Sequence, residues 1–166
     1  MSKPSILAFA GSARKGSYNF QLLQVAVEGA RAAGADVTVL DLKDYPLPLF
    51  DEDLEQSGTP YHATLLKQLF LKHDGLLIAS PEYNGSVTPL LKNVIDWVSR
   101  PAEGEGRLAA YQGKVAALMT AVPGGGGLRG LLHLREILSS IGVIVLPSQT
   151  ILPAAFEAFD ENGQLK

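Results

Sequence analysis

The sequence predicts one doubly wound α/β domain built on a five-stranded parallel sheet. Three observations point there. Short continuous apolar runs alternate with segments whose apolar residues repeat at helical spacing. The runs suit strands buried on both faces, and regular alternation implies right-handed crossovers. A length of 166 residues with 46% hydrophobic content is enough for one core, so residues 1–166 are read as a single domain.

Strand one is residues 6–10 (Ile-Leu-Ala-Phe-Ala), ending in Gly11-Ser12. A polar loop to Ser17 follows. Asn19 is the expected helix N-cap, ahead of a stripe of Phe20, Leu23, Val27 and Ala30 closed by Gly34. Residues 37–40 read as strand two. Residues 43–61, with Pro46, Pro48 and Pro60, read as a long loop. Leu65, Leu66, Leu69 and Phe70 mark a second helix, and residues 75–80 a third strand.

Thr88 caps the third helix, with Pro89 in its first position and Leu91, Val94, Ile95 and Val98 on the buried face. Residues 114–120 give strand four and residues 123–127 a glycine loop. Leu131, Leu134, Leu138 and Ile141 form the stripe of a fourth helix, and residues 143–146 the fifth strand. A helix returning over the sheet is expected next. The sequence reaches Lys166 without one, which reads as a truncation or, failing that, as a sheet face that relies on something else for cover.

Composition narrows the chemistry. The net charge is −3 with Lys and Arg scattered, which offers no patch for a polyanion. Without cysteine there is no disulfide, thiolate metal site or thiol nucleophile. His62, His73 and His133 lack ligand spacing, so no metal is expected. The N-terminal apolar run is too short for a signal segment, and none could span a bilayer. A soluble, cytoplasmic protein is expected.

In doubly wound sheets ligands sit outside the carboxyl ends of the strands. The loop of residues 11–19 (Gly-Ser-Ala-Arg-Lys-Gly-Ser-Tyr-Asn) precedes a helix, whose free N–H groups and dipole favour an anion. Ser12, Arg14, Ser17 and Asn19 add donors suited to phosphate oxygens. The loop is neither a Walker loop nor a Gly-x-Gly-x-x-Gly fingerprint, and by itself could be an ordinary capped turn. The loop of residues 80–86 (Ser-Pro-Glu-Tyr-Asn-Gly-Ser) combines a stiff exit at Pro81, an Asn84-Gly85 turn, and the aromatic face of Tyr83. Its N–H groups from Asn84 to Ser86 are expected to face the crevice, which suits a planar hydrogen-bonding heterocycle. A plain strand-to-helix turn is the alternative. Four glycines at 124–127 call for close backbone approach to a ligand or subunit, or for a flexible linker.

Those two loops, together with residues 89–97 (Pro-Leu-Leu-Lys-Asn-Val-Ile-Asp-Trp), resemble the NADPH-dependent FMN reductase family over essentially the whole chain. The resemblance implies a flavodoxin-like fold with strand order 2-1-3-4-5, FMN as cofactor and NADPH or NADH as donor. It implies an FMN phosphate held by Ser12, Arg14, Ser17, Tyr18 and Asn19. The isoalloxazine would be lined by Pro81, Glu82, Tyr83, Asn84, Gly85 and Ser86, with Thr120, Ala121 and Gly124 contributing from the third loop. No protein group is expected to act as nucleophile or acid. Acceptors of the quinone, chromate, azo or free-flavin type are implied, in a ping-pong two-electron reaction. So is a homodimer or homotetramer, in which Trp97, Tyr111 and Arg129 could serve an interface. The third loop departs from the family pattern, lacking a serine near Val122 and being shorter. A flavodoxin-type electron carrier is the competing reading, although a charge of −3 is small for one. A receiver-like domain would need acidic residues after strand one, where Ala10-Gly11 stands.

Overall fold

The structure, a computed structural model, describes residues 3–166. Strands β1 (Ser5–Ala10), β2 (Asp36–Leu40), β3 (Gly75–Ala79), β4 (Val115–Ala121) and β5 (Ile144–Leu152) form one parallel sheet. Its order is β2-β1-β3-β4-β5, the flavodoxin-like arrangement. The helices are α1 (Tyr18–Ala32), α2 (Glu52–Ser57), α3 (Tyr61–Lys72), α4 (Pro89–Val98), α5 (Leu128–Ser140) and the single turn α6 (Ala155–Ala158).

Two apolar layers explain why the strands read as unbroken runs. On one face Leu7, Phe9, Leu76, Ile78 and Leu118 pack with Phe70 of α3, Leu91 and Val98 of α4, and Leu131, Leu134 and Leu138 of α5. On the other, Ala8, Ala10, Leu77, Ala79 and Met119 meet Leu22, Leu23 and Val27 of α1. Large side chains fill the first layer, while alanines let α1 lie close on the second. The part of that second face beyond α1 is open. Val115, Ile144 and Leu146 are exposed there, and Val115 and Leu146 line an apolar cavity of about 250 Å³ together with Ile6, Leu77 and Ala117.

Several expectations need correction. The α1 N-cap is Ser17, whose Oγ accepts from Phe20 N at 3.4 Å, and not Asn19. Residues 43–61 are not all loop. Asp51 caps α2 by accepting from Asp53 N (2.8 Å) and Leu54 N (3.2 Å), and a 3₁₀ turn spans Leu42–Asp44. β5 continues to Leu152 through Pro147, because a register shift opposite Ala117 relieves the proline of pairing. Trp97 and Tyr111 belong to the core and not to an interface, at 1% and 0% exposure. Trp97 Nε1 donates to Pro48 O at 2.8 Å, and its ring meets Phe50 edge-on.

At the amino edge of the sheet, Asp74 accepts from Ser5 N (2.9 Å) and Ser5 Oγ (2.8 Å). These bonds hold its carboxyl below the ordinary carboxylate range. The Lys114 ammonium beside it, which donates to His73 O, is pushed down by burial.

Candidate functional site

β1 delivers the chain to the carboxyl edge at Gly11, which has no room for a side chain. A Cβ there would lie 2.9 Å from Ser80 Oγ and 3.2 Å from Thr88 Oγ1. Thr88 Oγ1 donates to Gly11 O at 2.8 Å while accepting from Leu91 N at 3.2 Å, so one hydroxyl both caps α4 and pins the first loop. Beyond that point residues 13–16 are exposed. Ser17 N donates to Arg14 O at 3.2 Å, and the chain enters α1. The N–H groups of Tyr18 and Asn19, first in the helix, have no carbonyl of their own helix to bond. With the dipole behind them they form an anion site. A cavity of about 550 Å³ adjoins the loop, lined by residues 12–17 and, on its far wall, by Phe20, Gln21, Asp41 and Lys43.

Ser12 is half-buried at the loop entrance, its Oγ 3.4 Å from Arg14 N. Arg14 folds onto its own loop, Nη2 donating to Gly16 O at 2.9 Å and the guanidinium lying 5.5 Å above the Tyr18 ring. The Tyr18 ring in turn stacks on Phe159, with centroids 6.3 Å apart. Asn19 differs from expectation. It is 4% exposed, and both ends of its amide are taken by Ala121: Nδ2 donates to Ala121 O and Oδ1 accepts from Ala121 N, each at 2.9 Å. Its side chain is a buried clamp between α1 and β4, out of reach of a phosphate.

The second loop is a tight turn. Tyr83 N donates to Ser86 O (2.9 Å) and Ser86 N to Tyr83 O (3.0 Å). Asn84 and Gly85 both have positive φ, 50° and 76°. Two successive positive φ values make a type I′ turn, the geometry Asn-Gly favours. The Ser86 N–H is therefore spent inside the turn, contrary to expectation, and only those of Asn84 and Gly85 stay outside its hydrogen bonds. Tyr83 is 52% exposed at the edge of the turn, after half-buried Pro81. Glu82 departs from its expected place along the ring: its Oε2 accepts from Gly130 N of α5 at 2.8 Å. Ser86 Oγ lies 3.0 Å from His133 Nδ1, also on α5.

The third loop is exposed from Pro123 to Gly126. A Cβ added at Gly124 or Gly125 would meet open space, and neither has a positive φ. Gly127 is different: it is buried at φ 86°, and a Cβ would lie 2.7 Å from Thr120 Cγ2. Thr120 is 0% exposed behind Gly127, and its hydroxyl has no partner among the described residues. Ala121 is likewise buried, its backbone engaged with Asn19. These two are the wall behind the loop and present no side chain at its surface.

Among the described residues no group of His, Asp and Glu could hold a metal ion. Sequence reasoning missed Thr88, Gly130 and His133 as parts of the edge, although it placed Gly11 in the first loop and Gly127 in the third. The Thr88 cap was a visible signal, but it read as an ordinary helix start.

Residues 4–157 match the family model described as NADPH-dependent FMN reductase. An NAD(P)H-dependent FMN reductase of Pseudomonas aeruginosa is 36% identical over 162 residues, which are 96% of this chain and 83% of the relative. An NADPH:quinone oxidoreductase of Arabidopsis thaliana is 38% identical over 166 aligned residues, covering 96% of this chain and 81% of the relative. Among solved structures, the flavoenzyme NAD(P)H:(acceptor) oxidoreductase FerB from Paracoccus denitrificans matches with a TM-score of 0.79 at 28% identity. That match covers 98% of this chain and 86% of the other.

Proposed function

We infer the reaction from one premise: the chain belongs to the NADPH-dependent FMN reductase family. It is an oxidoreductase that uses FMN and NAD(P)H. We propose that it reduces quinone-type acceptors by two electrons in a ping-pong cycle, with free flavin, azo compounds and chromate as further acceptor classes. The quinone assignment draws on the plant relative.

The residues present fit FMN. The helix-start N–H groups of Tyr18 and Asn19, with the Ser12 and Ser17 hydroxyls and the Arg14 guanidinium, suit a phosphomonoester. The turn of Tyr83, Asn84 and Gly85 suits the ring, offering an exposed aromatic face and two N–H groups outside its own bonds. Gly124 and Gly125 are glycine although neither φ nor packing requires it, as expected where a backbone lies against a flat ligand.

When bound, FMN would supply the redox chemistry, two-electron transfer between NAD(P)H and the acceptor. The chain's part is to bind and orient. The first loop would supply affinity by holding the phosphate. The Asn84 and Gly85 N–H dipoles would stabilise negative charge on a bound ring. Thr88 keeps the two loops in register through Gly11.

The single observation that carries this reading is an anion-binding helix start and an aromatic type I′ turn, on the same sheet edge and joined by the Thr88–Gly11 bond. A purified sample is expected to show, or to gain with FMN, the flavin absorption bands, which bleach anaerobically with NADPH or NADH and return with a quinone. A colourless protein that takes up no FMN overturns the reading. No helix among the described residues is long and apolar enough to cross a membrane. We place the protein in the cytoplasm as a homodimer or homotetramer, by analogy with the family. Light scattering on the purified protein reads the oligomeric state.

A further inference from the structure

We propose that Glu82 is a positioning residue: its carboxylate caps the first turn of α5 and so locks the 81–86 turn to the helix that follows the third loop. The inference rests on the FMN reading only in naming the flavin ring as what this seam holds.

The N-terminus of α5 cannot be capped from its own sequence. Most helices place Ser, Thr, Asp or Asn at the N-cap. Here that residue is Gly127, in left-handed conformation at φ 86° and with no side chain to offer. None could be introduced, because a Cβ would lie 2.7 Å from Thr120 Cγ2 and 2.9 Å from Val122 Cγ1. The first N–H groups of α5 therefore need an acceptor from elsewhere.

Glu82 supplies one from a different strand-to-helix connection, 48 residues away. Its Oε2 accepts from Gly130 N, the third N–H of the helix, at 2.8 Å. A negative charge at a helix N-terminus is itself favourable. The fit is two-sided, since Gly130 is glycine where the Glu82 stem passes. A Cβ at 130 would lie 3.1 Å from Glu82 Cβ, 3.2 Å from its Cγ and 3.3 Å from Ser86 O. Two contacts extend the seam. Ser86 Oγ meets His133 Nδ1 at 3.0 Å, and the Arg129 side chain packs over Gly85, where a Cβ would fall 3.0 Å from its Nη1. The second loop and the first turn of α5 thus form one body. Glu82 acts on the ring through the turn it holds, with its own carboxylate turned to the helix.

The test uses the full chain freed of flavin, with Glu82→Ala, Glu82→Gln and Gly130→Ala. Two readouts are taken: affinity for FMN and for riboflavin, and hydrogen exchange at the Gly130 amide. Riboflavin carries the ring without the phosphate. Glu82→Ala is expected to weaken both flavins by the same factor, about tenfold, and to speed Gly130 exchange. Glu82→Gln keeps an oxygen for Gly130 N and is expected to restore both readouts to within about twofold. Gly130→Ala raises helix propensity, yet is expected to weaken both flavins as Glu82→Ala does, by displacing the Glu82 stem. The double variant is expected to lose no more than either single one.

Wild-type flavin affinity in Glu82→Ala overturns the proposal. So does Glu82→Gln as damaging as Glu82→Ala, because an oxygen left within reach of Gly130 N would then hold nothing in place. Should Glu82→Ala fail to fold, unchanged flavin binding by Gly130→Ala overturns it. Wild-type protein that binds neither flavin refutes the FMN reading instead, and Gly130 exchange then judges the cap alone.

Discussion

The first and second loops of the carboxyl edge are built on opposite plans. Residues 13–16 are exposed and held by local bonds, Arg14 to Gly16 and Ser17 to Arg14. Residues 82–86 close on themselves through Tyr83 and Ser86 and are also held from outside, by Gly130, His133 and the packing of Arg129. The difference follows what each would hold. A phosphate is a compact charge that a few amides can meet from a pliable loop. A flat ring has to be presented at one angle, and that requires a frame.

The largest effect is expected where the first loop stops being local. Asn19→Leu leaves Ala121 N–H and C=O buried without partners, which costs about 3 kcal/mol of unfolding free energy in urea titration. A loss below about 0.5 kcal/mol would erase the boundary between the two plans. Gly85→Val comes next. A β-branched residue at φ 76° costs about 2 kcal/mol, and here it also meets Arg129. FMN and riboflavin affinities should fall together, by calorimetric titration.

Arg14→Ala should separate the loops in the other direction. Its bonds are local, so stability should change by less than about 0.5 kcal/mol. FMN affinity should fall about tenfold, while riboflavin affinity and flavin-saturated turnover hold. Equal loss for both flavins would show that the first loop also shapes the ring.

The smallest effect lies outside both loops and serves as their control. The folded pKa of Asp74 is depressed by Ser5, so its contribution is present above the unfolded value of about 4 and is lost as pH falls through the folded one. Asp74→Asn should lower Tm slightly near neutral pH and converge with the parent in strong acid, with flavin affinity unchanged throughout.

Much of this molecule was legible because its signals are local. The unbroken run at 6–10 fixed a strand buried on both faces, and Thr88-Pro89 marked a helix start that the structure places where expected. Asn84-Gly85 foretold its turn, since few other pairs take two positive φ values cheaply. What escaped was set by partners distant in sequence. Asn19 has the composition of a cap or phosphate donor, and nothing nearby reveals that Ala121, 102 residues on, takes its amide. Glu82 looked like a ring contact because the Gly127 left-handed start is invisible until the loop is built. Strand five was cut short at Pro147 because a proline ordinarily ends a strand, and only the register shift excuses it.

That register shift has a bearing on how these molecules share a solution. β5 is an outer strand of the sheet, and an outer strand with an unbroken ladder is a template on which another chain can add. Pro147 offers no N–H, and the irregularity beside it interrupts the spacing an incoming strand would need. The apolar side chains of Ile144 and Leu146 thus sit on a margin whose broken spacing works against edge-to-edge addition, a device carried by the same residues that disguised the strand.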